Sequence, residues 1–68
     1  MTAYERLLIT LENDGIDIHA KMEKQTFDEQ LEWTKNVIVP LSVDENSLQG
    51  MISLALIIPY VRTQYPKN

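Results

Sequence analysis

The sequence predicts a mainly α-helical domain of three helices, and three observations support this prediction. Apolar residues near the N-terminus recur at the spacing of one helical face. Capping boxes, in which a hydroxyl and a carboxylate each satisfy a backbone N–H at a helix start, begin at Thr2 and Thr26. The stretch 51–61 is apolar apart from Ser53 and Pro59. A chain of 68 residues forms one domain at most, here 1–68 with a frayed end at 66–68.

The first predicted helix covers residues 2–13. Its apolar face is formed by residues at i, i+3, i+4 and i+7, namely Tyr4, Leu7, Leu8 and Leu11. Thr2 and Glu5 supply the capping box. Asp14-Gly15 ends the helix, because glycine tolerates the left-handed conformation common at a helix C-terminus.

The segment 16–22 changes to an alternating pattern. Ile16, Ile18, Ala20 and Met22 fall on one side, with polar residues between them, which favours a short strand. An extended connector or a short helical turn is the alternative, because Ala, Lys and Met are weak strand formers.

The second predicted helix begins at Thr26 and runs to about Asn36, with an extension toward Val39 left open. Its capping box is Thr26-Phe27-Asp28-Glu29, and two acids in the first turn complement the helix dipole. The following segment 37–43 is rich in β-branched residues, which favours a strand. Pro40 would confine that strand to a sheet edge.

The third predicted helix begins near Asp44 or Asn46 and runs to Gln64. It has two apolar stripes, so it is apolar around most of its circumference and should be central or intermolecular. Pro59 should kink it, because proline lacks an N–H and crowds the carbonyl four residues earlier. The stripes are Leu48, Met51, Ile52 and Ala55, and Leu54, Ile57, Ile58 and Val61.

The expected core draws on all three helices. An α+β domain with a two-stranded sheet, formed by 16–22 and 37–43 with the second helix as a crossover, is the alternative fold. The core residues expected are Tyr4, Leu7, Leu8, Leu11, Phe27, Leu31, Trp33, Met51, Ile52, Ala55 and Ile58.

The charge is divided unevenly along the chain. Residues 1–34 carry eight acidic and three basic side chains, a net charge of −5, whereas residues 35–68 carry two acidic and three basic ones, a net charge of +1. This disfavours direct binding to nucleic acid, which needs clustered Lys and Arg. The absence of cysteine fits a reducing compartment. We expect a cytoplasmic protein without a signal peptide or a membrane-spanning helix.

No residue pattern points to catalysis, a cofactor or a metal. His19 is the single histidine and has no Cys or His at metal-ligand spacing. Gly15 and Gly50 stand alone, outside any phosphate-binding loop. We therefore predict a non-enzymatic protein with no cofactor, no metal and no small-molecule substrate. A catalytic site would require the symmetry of a homodimer to bring two copies of His19 or of the acids together. A DNA-binding module is disfavoured because the third helix lacks base-reading side chains.

The leading functional prediction is a small acidic regulatory protein that self-associates or binds a protein partner through its apolar C-terminal helix. The predicted partner-binding residues are Leu54, Ile57, Tyr60, Val61 and Tyr65. The alternative is an inhibitor or antirepressor of phage or mobile-element type, whose acidic face occupies the basic surface of a DNA-binding or nucleic-acid-processing protein. That predicted acidic face is Asp17, Asp28, Glu29 and Glu32.

Overall fold

The protein contains four helices in a computed structural model that describes residues 1–67. They are α1 (Ala3–Asn13), α2 (Ile18–Glu23), α3 (Phe27–Trp33) and α4 (Leu48–Gln64). A π-helical turn (Thr34–Ile38) continues α3. The prediction of a mainly α-helical domain is confirmed, with one short helix more than the three expected.

The ends of α1 follow the predicted capping pattern. The Glu5 N–H donates to Thr2 Oγ1 at 3.2 Å, and the Thr2 N–H donates to the Glu5 carboxylate at 2.9 Å. At the other end Gly15 has a φ of +80°, in the left-handed region that glycine adopts at low cost. The predicted helix and both of its end signals are therefore confirmed.

The strand favoured over 16–22 is wrong, and the alternative of a short helical turn is confirmed, because most of this segment forms α2. Asp17 accepts a hydrogen bond from the Ala20 N–H at 3.2 Å, so it acts as an N-cap. Ile18 is buried in the core and Met22, one helical turn later, packs against that core. The residues that appear to alternate therefore include Ile18 and Met22, which lie four residues apart on one helical face.

The second predicted helix is confirmed to its extended limit. The Thr26–Glu29 capping box is present, and helical backbone continues from α3 through the π-turn to Ile38. The Val39 N–H donates to the Thr34 carbonyl at 2.9 Å, which is the i to i+5 bond of a π-helix.

The strand predicted over 37–43 is wrong as well. After the π-turn the chain forms a series of turns. Its β-type pairing is limited to an isolated antiparallel bridge between Thr2 and Asp44. Backbone bonds from the Ala3 N–H to the Val43 carbonyl (2.8 Å) and from the Tyr4 N–H to the Leu41 carbonyl (2.9 Å) hold this loop against the start of α1. The α+β alternative therefore does not hold for residues 1–67.

Helix α4 starts later than predicted and ends at Gln64 as predicted. Ser47 is the N-cap and accepts a hydrogen bond from the Gly50 N–H at 3.0 Å. Gly50 is required there, because a Cβ at this position would lie 2.3 Å from the Asp44 carbonyl oxygen. The helix continues through Pro59 to Gln64. Of the predicted frayed end 66–68, Asn68 lies outside the described residues.

The core lies between α1, α3 with its π-turn, and one side of α4. Leu7, Leu11 and Trp33 are buried as predicted, whereas the other predicted core residues are at most partly buried. Tyr4, Leu8 and Ile58 pack at the margin of the core. The prediction is wrong for five exposed residues, Phe27, Leu31, Met51, Ile52 and Ala55. The buried residues not in the predicted core are Ala3, Ile16, Ile18, Val37, Leu41 and Val61.

The two capping boxes predict a specific acid response. A hydrogen bond from the Thr2 backbone N–H lowers the pKa of Glu5, and one from the Thr26 N–H lowers the pKa of Glu29. A carboxyl whose pKa is lowered on folding stabilises the fold above its unfolded pKa. This contribution is lost as the pH falls through its folded pKa, on the acid side of about 4.3.

We predict that Thr2→Pro returns the pKa of Glu5 toward its ordinary value and leaves that of Glu29 low, and that Thr26→Pro does the reverse. Each substitution deletes the donor N–H together with the threonine hydroxyl, the two groups that lower the glutamate pKa, while the φ values of −78° and −68° suit proline. Carbon-detected NMR titration of the glutamate carboxyls measures both values, and each variant is the control for the other. A Glu5 pKa that stays low in Thr2→Pro would show that this N–H is not the cause.

Candidate protein interaction surface

One side of α4 is an exposed apolar surface, which we call the outward face. It comprises the large side chains Leu48, Met51, Ile52, Leu56 and Tyr60, together with Ala55 and Pro59. The large side chains are 71%, 52%, 52%, 70% and 45% exposed, respectively. Four of these residues form one stripe of the predicted third helix, and three of the four, Met51, Ile52 and Ala55, are among the predicted core residues.

The outward face has neither positive nor negative charge. Between Leu48 and Val61 the helix contains no Asp, Glu, Lys or Arg. The exposed fractions of its five large side chains amount to about 500 Å² of apolar surface, near the upper limit of the patches that monomers ordinarily show. The largest apolar patch on a typical monomer is of this size and is often functional.

The predicted partner-binding residues are divided between the core and the surface. Val61 is fully buried, so it cannot contact a partner of the folded chain, and that part of the prediction is wrong. Leu54 and Ile57 are half-buried and pack against the core. Tyr60 is exposed and belongs to the outward face, whereas Tyr65 packs against Trp33.

Contacts at both ends of α4 determine which side faces the core. At the N-terminal end Gly50 is buried against the Asp44 carbonyl. At the C-terminal end Arg62 Nε lies 2.7 Å from Asp14 Oδ2, which connects α4 to the end of α1. Val61, beside that ion pair, is enclosed in the core. These contacts turn the outward face away from the body of the molecule.

Trp33 joins the C-terminal end of α4 to the rest of the fold. Its ring and that of Tyr65 are 5.5 Å apart at an interplanar angle of 89°, an edge-to-face pair. The Trp33 indole N–H donates to the Tyr4 hydroxyl at 3.3 Å, and the Tyr65 hydroxyl donates to Gln25 Oε1 at 3.4 Å. Trp33 and Tyr65 are therefore structural residues, and Tyr60 is the exposed aromatic of α4.

The four predicted acidic-face residues are exposed, but three of them have local structural contacts. Asp17 caps α2, and the Glu29 carboxylate accepts from the Thr26 N–H at 3.0 Å. The Glu32 carboxylate accepts from Asn36 Nδ2 at 3.1 Å. Asp28, Glu29 and Glu32 share α3, whereas Asp17 belongs to α2, so the structure groups three of the four on one helix.

A smaller apolar surface lies among the carboxylates of α3. Phe27 is 77% exposed, more than any other large apolar side chain of residues 1–67. Leu31, one helical turn later, is also exposed. Sequence reasoning assigned both to the core, because their i, i+4 spacing resembles a buried face. The structure instead places an exposed aromatic beside Asp28.

His19 lines an open groove of about 570 Å³ between α1 and α2, together with Glu12 and Asp17. Within residues 1–67, no three His, Cys, Asp or Glu side chains come together as a metal-binding group. In the same part of the chain, no helix combines the length and hydropathy needed to cross a membrane.

Comparison with protein-family models, with curated proteins and with solved structures finds no match to this chain. The exposed surfaces of the chain are therefore the features from which a function can be inferred.

The aromatic contact predicts a difference between the two tyrosines of the α4 region. Tyr65→Ala should shift the fluorescence of Trp33 to longer wavelength, because it removes a ring that covers the indole. Trp33 is the single tryptophan, so emission reports on this site alone. Tyr60→Ala is the comparison and should give the smaller shift, because Tyr60 lines the same groove as Trp33 but is 45% exposed, whereas the Tyr65 ring packs edge-to-face on the indole. An equal shift in both variants would contradict the assignment of Tyr65 to the core.

Proposed function

We propose that this protein is a small, non-enzymatic regulatory protein that acts by binding protein through the outward face of α4. The observation that carries the proposal is a charge-free helix face whose large apolar side chains are about half or more exposed. Covering such a face removes apolar surface from water, which is the main driving force of protein association.

The chemistry of the outward face also predicts what kind of contact it makes. Because it has no charged side chain, binding to it should depend on shape and apolar burial rather than on ion pairs. Ionic strength screens interactions between charges and leaves apolar burial intact. A complex formed through α4 should therefore persist in high salt.

We predict that a photo-reactive benzoylphenylalanine at Leu56 forms covalent adducts with protein in cells that produce the chain, and that the adducts persist in high salt. Leu56 is 70% exposed at the middle of the outward face, so the added bulk does not disturb the core. The same residue placed at Lys24, exposed at the end of α2, is the control and should give none of these adducts. Mass spectrometry of the adducts gives their composition.

The absence of adducts at Leu56, or the same adducts at Leu56 and Lys24, would contradict the proposal. Circular dichroism of each labelled chain verifies that it is folded, so a negative result cannot be assigned to unfolding.

The exposed Phe27 favours a second candidate function, in which α3 occupies the basic surface of a DNA-binding or nucleic-acid-processing protein as an inhibitor or antirepressor. Phe27 and Leu31 would enter an apolar recess, while Asp28 and Glu32 would contact surrounding Lys or Arg. Charged rims of this kind accelerate association and select the partner. Unlike binding to α4, this contact should weaken in salt.

Charge reversal on α3 tests this second candidate. The double variant Asp28→Lys with Glu32→Lys should lose the basic proteins that the immobilised chain retains from cell extract at low salt. Neither residue is the N-cap, but Asp28 lies in the first turn of α3, so circular dichroism verifies that the variant is folded. The double variant Glu12→Lys with Glu23→Lys is the control. It changes exposed acids of α1 and α2 by the same total charge and should still retain the basic proteins. Equal retention by both variants, or no retention by the unmodified chain, would eliminate the acidic-surface function.

A further inference from the structure

We infer that the outward face of α4 is covered by a second copy of this chain, in an antiparallel pair related by a two-fold axis. This inference rests on the proposed function, because it names the partner of that same surface. It is carried by the area of the face, by the arrangement of its side chains and by the charges at the two ends of the helix.

The area of the outward face suits a pair of this kind. Two copies facing each other would bury at most roughly 1,000 Å² of apolar surface, which reaches the lower limit expected of a specific protein interface when the whole face is covered. A two-fold pair uses the same patch on both copies, so the patch must be complementary to itself. A face without charge meets this condition, because no like charges are brought together between Leu48 and Val61.

The exposed side chains of α4 form two rows at four-residue spacing. One row is Leu48, Ile52, Leu56 and Tyr60, and the other is Met51, Ala55 and Pro59. Rows at this spacing form the ridges that interdigitate in the commonest class of helix packing, with axes crossing at about −50°.

Both rows have nearly the same centre, which favours an antiparallel pair. The first row is centred between Ile52 and Leu56 and the second at Ala55, a difference of about one residue or 1.5 Å along the axis. A single two-fold axis can therefore pass close to the centre of both rows. It places Ile52 opposite Leu56 of the second copy, and Leu48 opposite Tyr60 of the second copy. Ala55, the smallest side chain of the face, lies beside the axis, where the two backbones come closest.

The charges at the ends of α4 also favour the antiparallel direction. Asp44 precedes the helix and is exposed, whereas Arg62 lies in its last turn with its side chain half exposed. An antiparallel pair sets the two helix dipoles in opposite directions, which is favourable. It also brings Asp44 of one copy toward Arg62 of the other, where the Arg62 charge is already partly balanced by its ion pair with Asp14. A parallel pair would align the two dipoles and bring the two Asp44 carboxylates together, which is unfavourable.

Because of Pro59, the interface must supply a hydrogen-bond donor to one backbone carbonyl. Proline has no N–H, so the Ala55 carbonyl lacks its usual helical donor. A buried carbonyl without a donor is costly. In the antiparallel arrangement Gln49 of the second copy comes level with Pro59, so its side-chain amide or a bridging water supplies the donor.

The absence of cysteine from the chain allows a direct test with single substitutions. We predict that Ala55→Cys, oxidised with diamide, rapidly forms a disulfide-linked pair, because Ala55 lies beside the axis and a disulfide needs Cα atoms about 4.4 to 6.8 Å apart. Leu48→Cys alone should not link, whereas a mixture of Ile52→Cys with Leu56→Cys should give the mixed disulfide, because these positions lie about two residues from the axis, where the crossing helices are still close. Glu12→Cys, exposed on α1, measures the background rate of random collision.

Adding Leu56→Glu to Ala55→Cys should reduce linking to that background, because each copy then places a charge in the apolar contact. Rapid self-linking of Leu48→Cys would show a parallel pair and overturn the inference. Linking of Ala55→Cys at the background rate would overturn it as well. If Ala55→Cys does not link, the photo-crosslinking at Leu56 separates the two ideas. Adducts that contain a different protein would leave the proposed function intact, whereas an absence of adducts would remove both the proposed function and the self-association.

Discussion

The structure depends on one constraint: α4 is apolar around most of its circumference, but the rest of the chain can cover only one side of it. The inner side, marked by Gly50, Leu54 and Val61, packs on α1 and the core. A chain this short buries only about 60% of the surface that its unfolded form exposes. The outward face is therefore a direct consequence of the size of the chain and of the composition of its last helix.

The helix starts could be predicted because their signals are local. A Thr with a Glu three residues later is sufficient to mark a capping box, and both boxes are present as predicted at Thr2 and Thr26. The face of α1 could be predicted as well, because polar residues define the other side of that helix. Asp17 was an available signal for α2, but the alternating pattern of 16–22 concealed it.

The orientation of α4 could not be predicted from periodicity, because a helix with two apolar stripes gives no preference between them. The choice depends on contacts that join distant parts of the chain, such as the ion pair between Asp14 and Arg62, 48 residues apart. The close approach of Gly50 to the Asp44 carbonyl is another such contact. As a result the stripe expected in the core is largely exposed, while Val61, expected at an interface, is buried.

The two candidate surfaces differ in whether their side chains have a structural role within the folded chain. Asp17, Glu29 and Glu32 each accept a local hydrogen bond, so their carboxylates have a structural explanation without a partner. The large side chains of the outward face have no comparable explanation, because their exposed area contributes nothing to the folded monomer. This difference is why α4 is the leading candidate and the acidic surface of α3 the second.

The most direct test of the central claim is the solution mass by light scattering over a dilution series. A pair formed through the outward face should show about twice the monomer mass of 7.9 kDa at high concentration and a decrease toward that value on dilution. Leu56→Glu should stay at the monomer mass throughout. A mass of 7.9 kDa at every concentration of the unmodified chain would contradict the claim that a second copy covers the outward face.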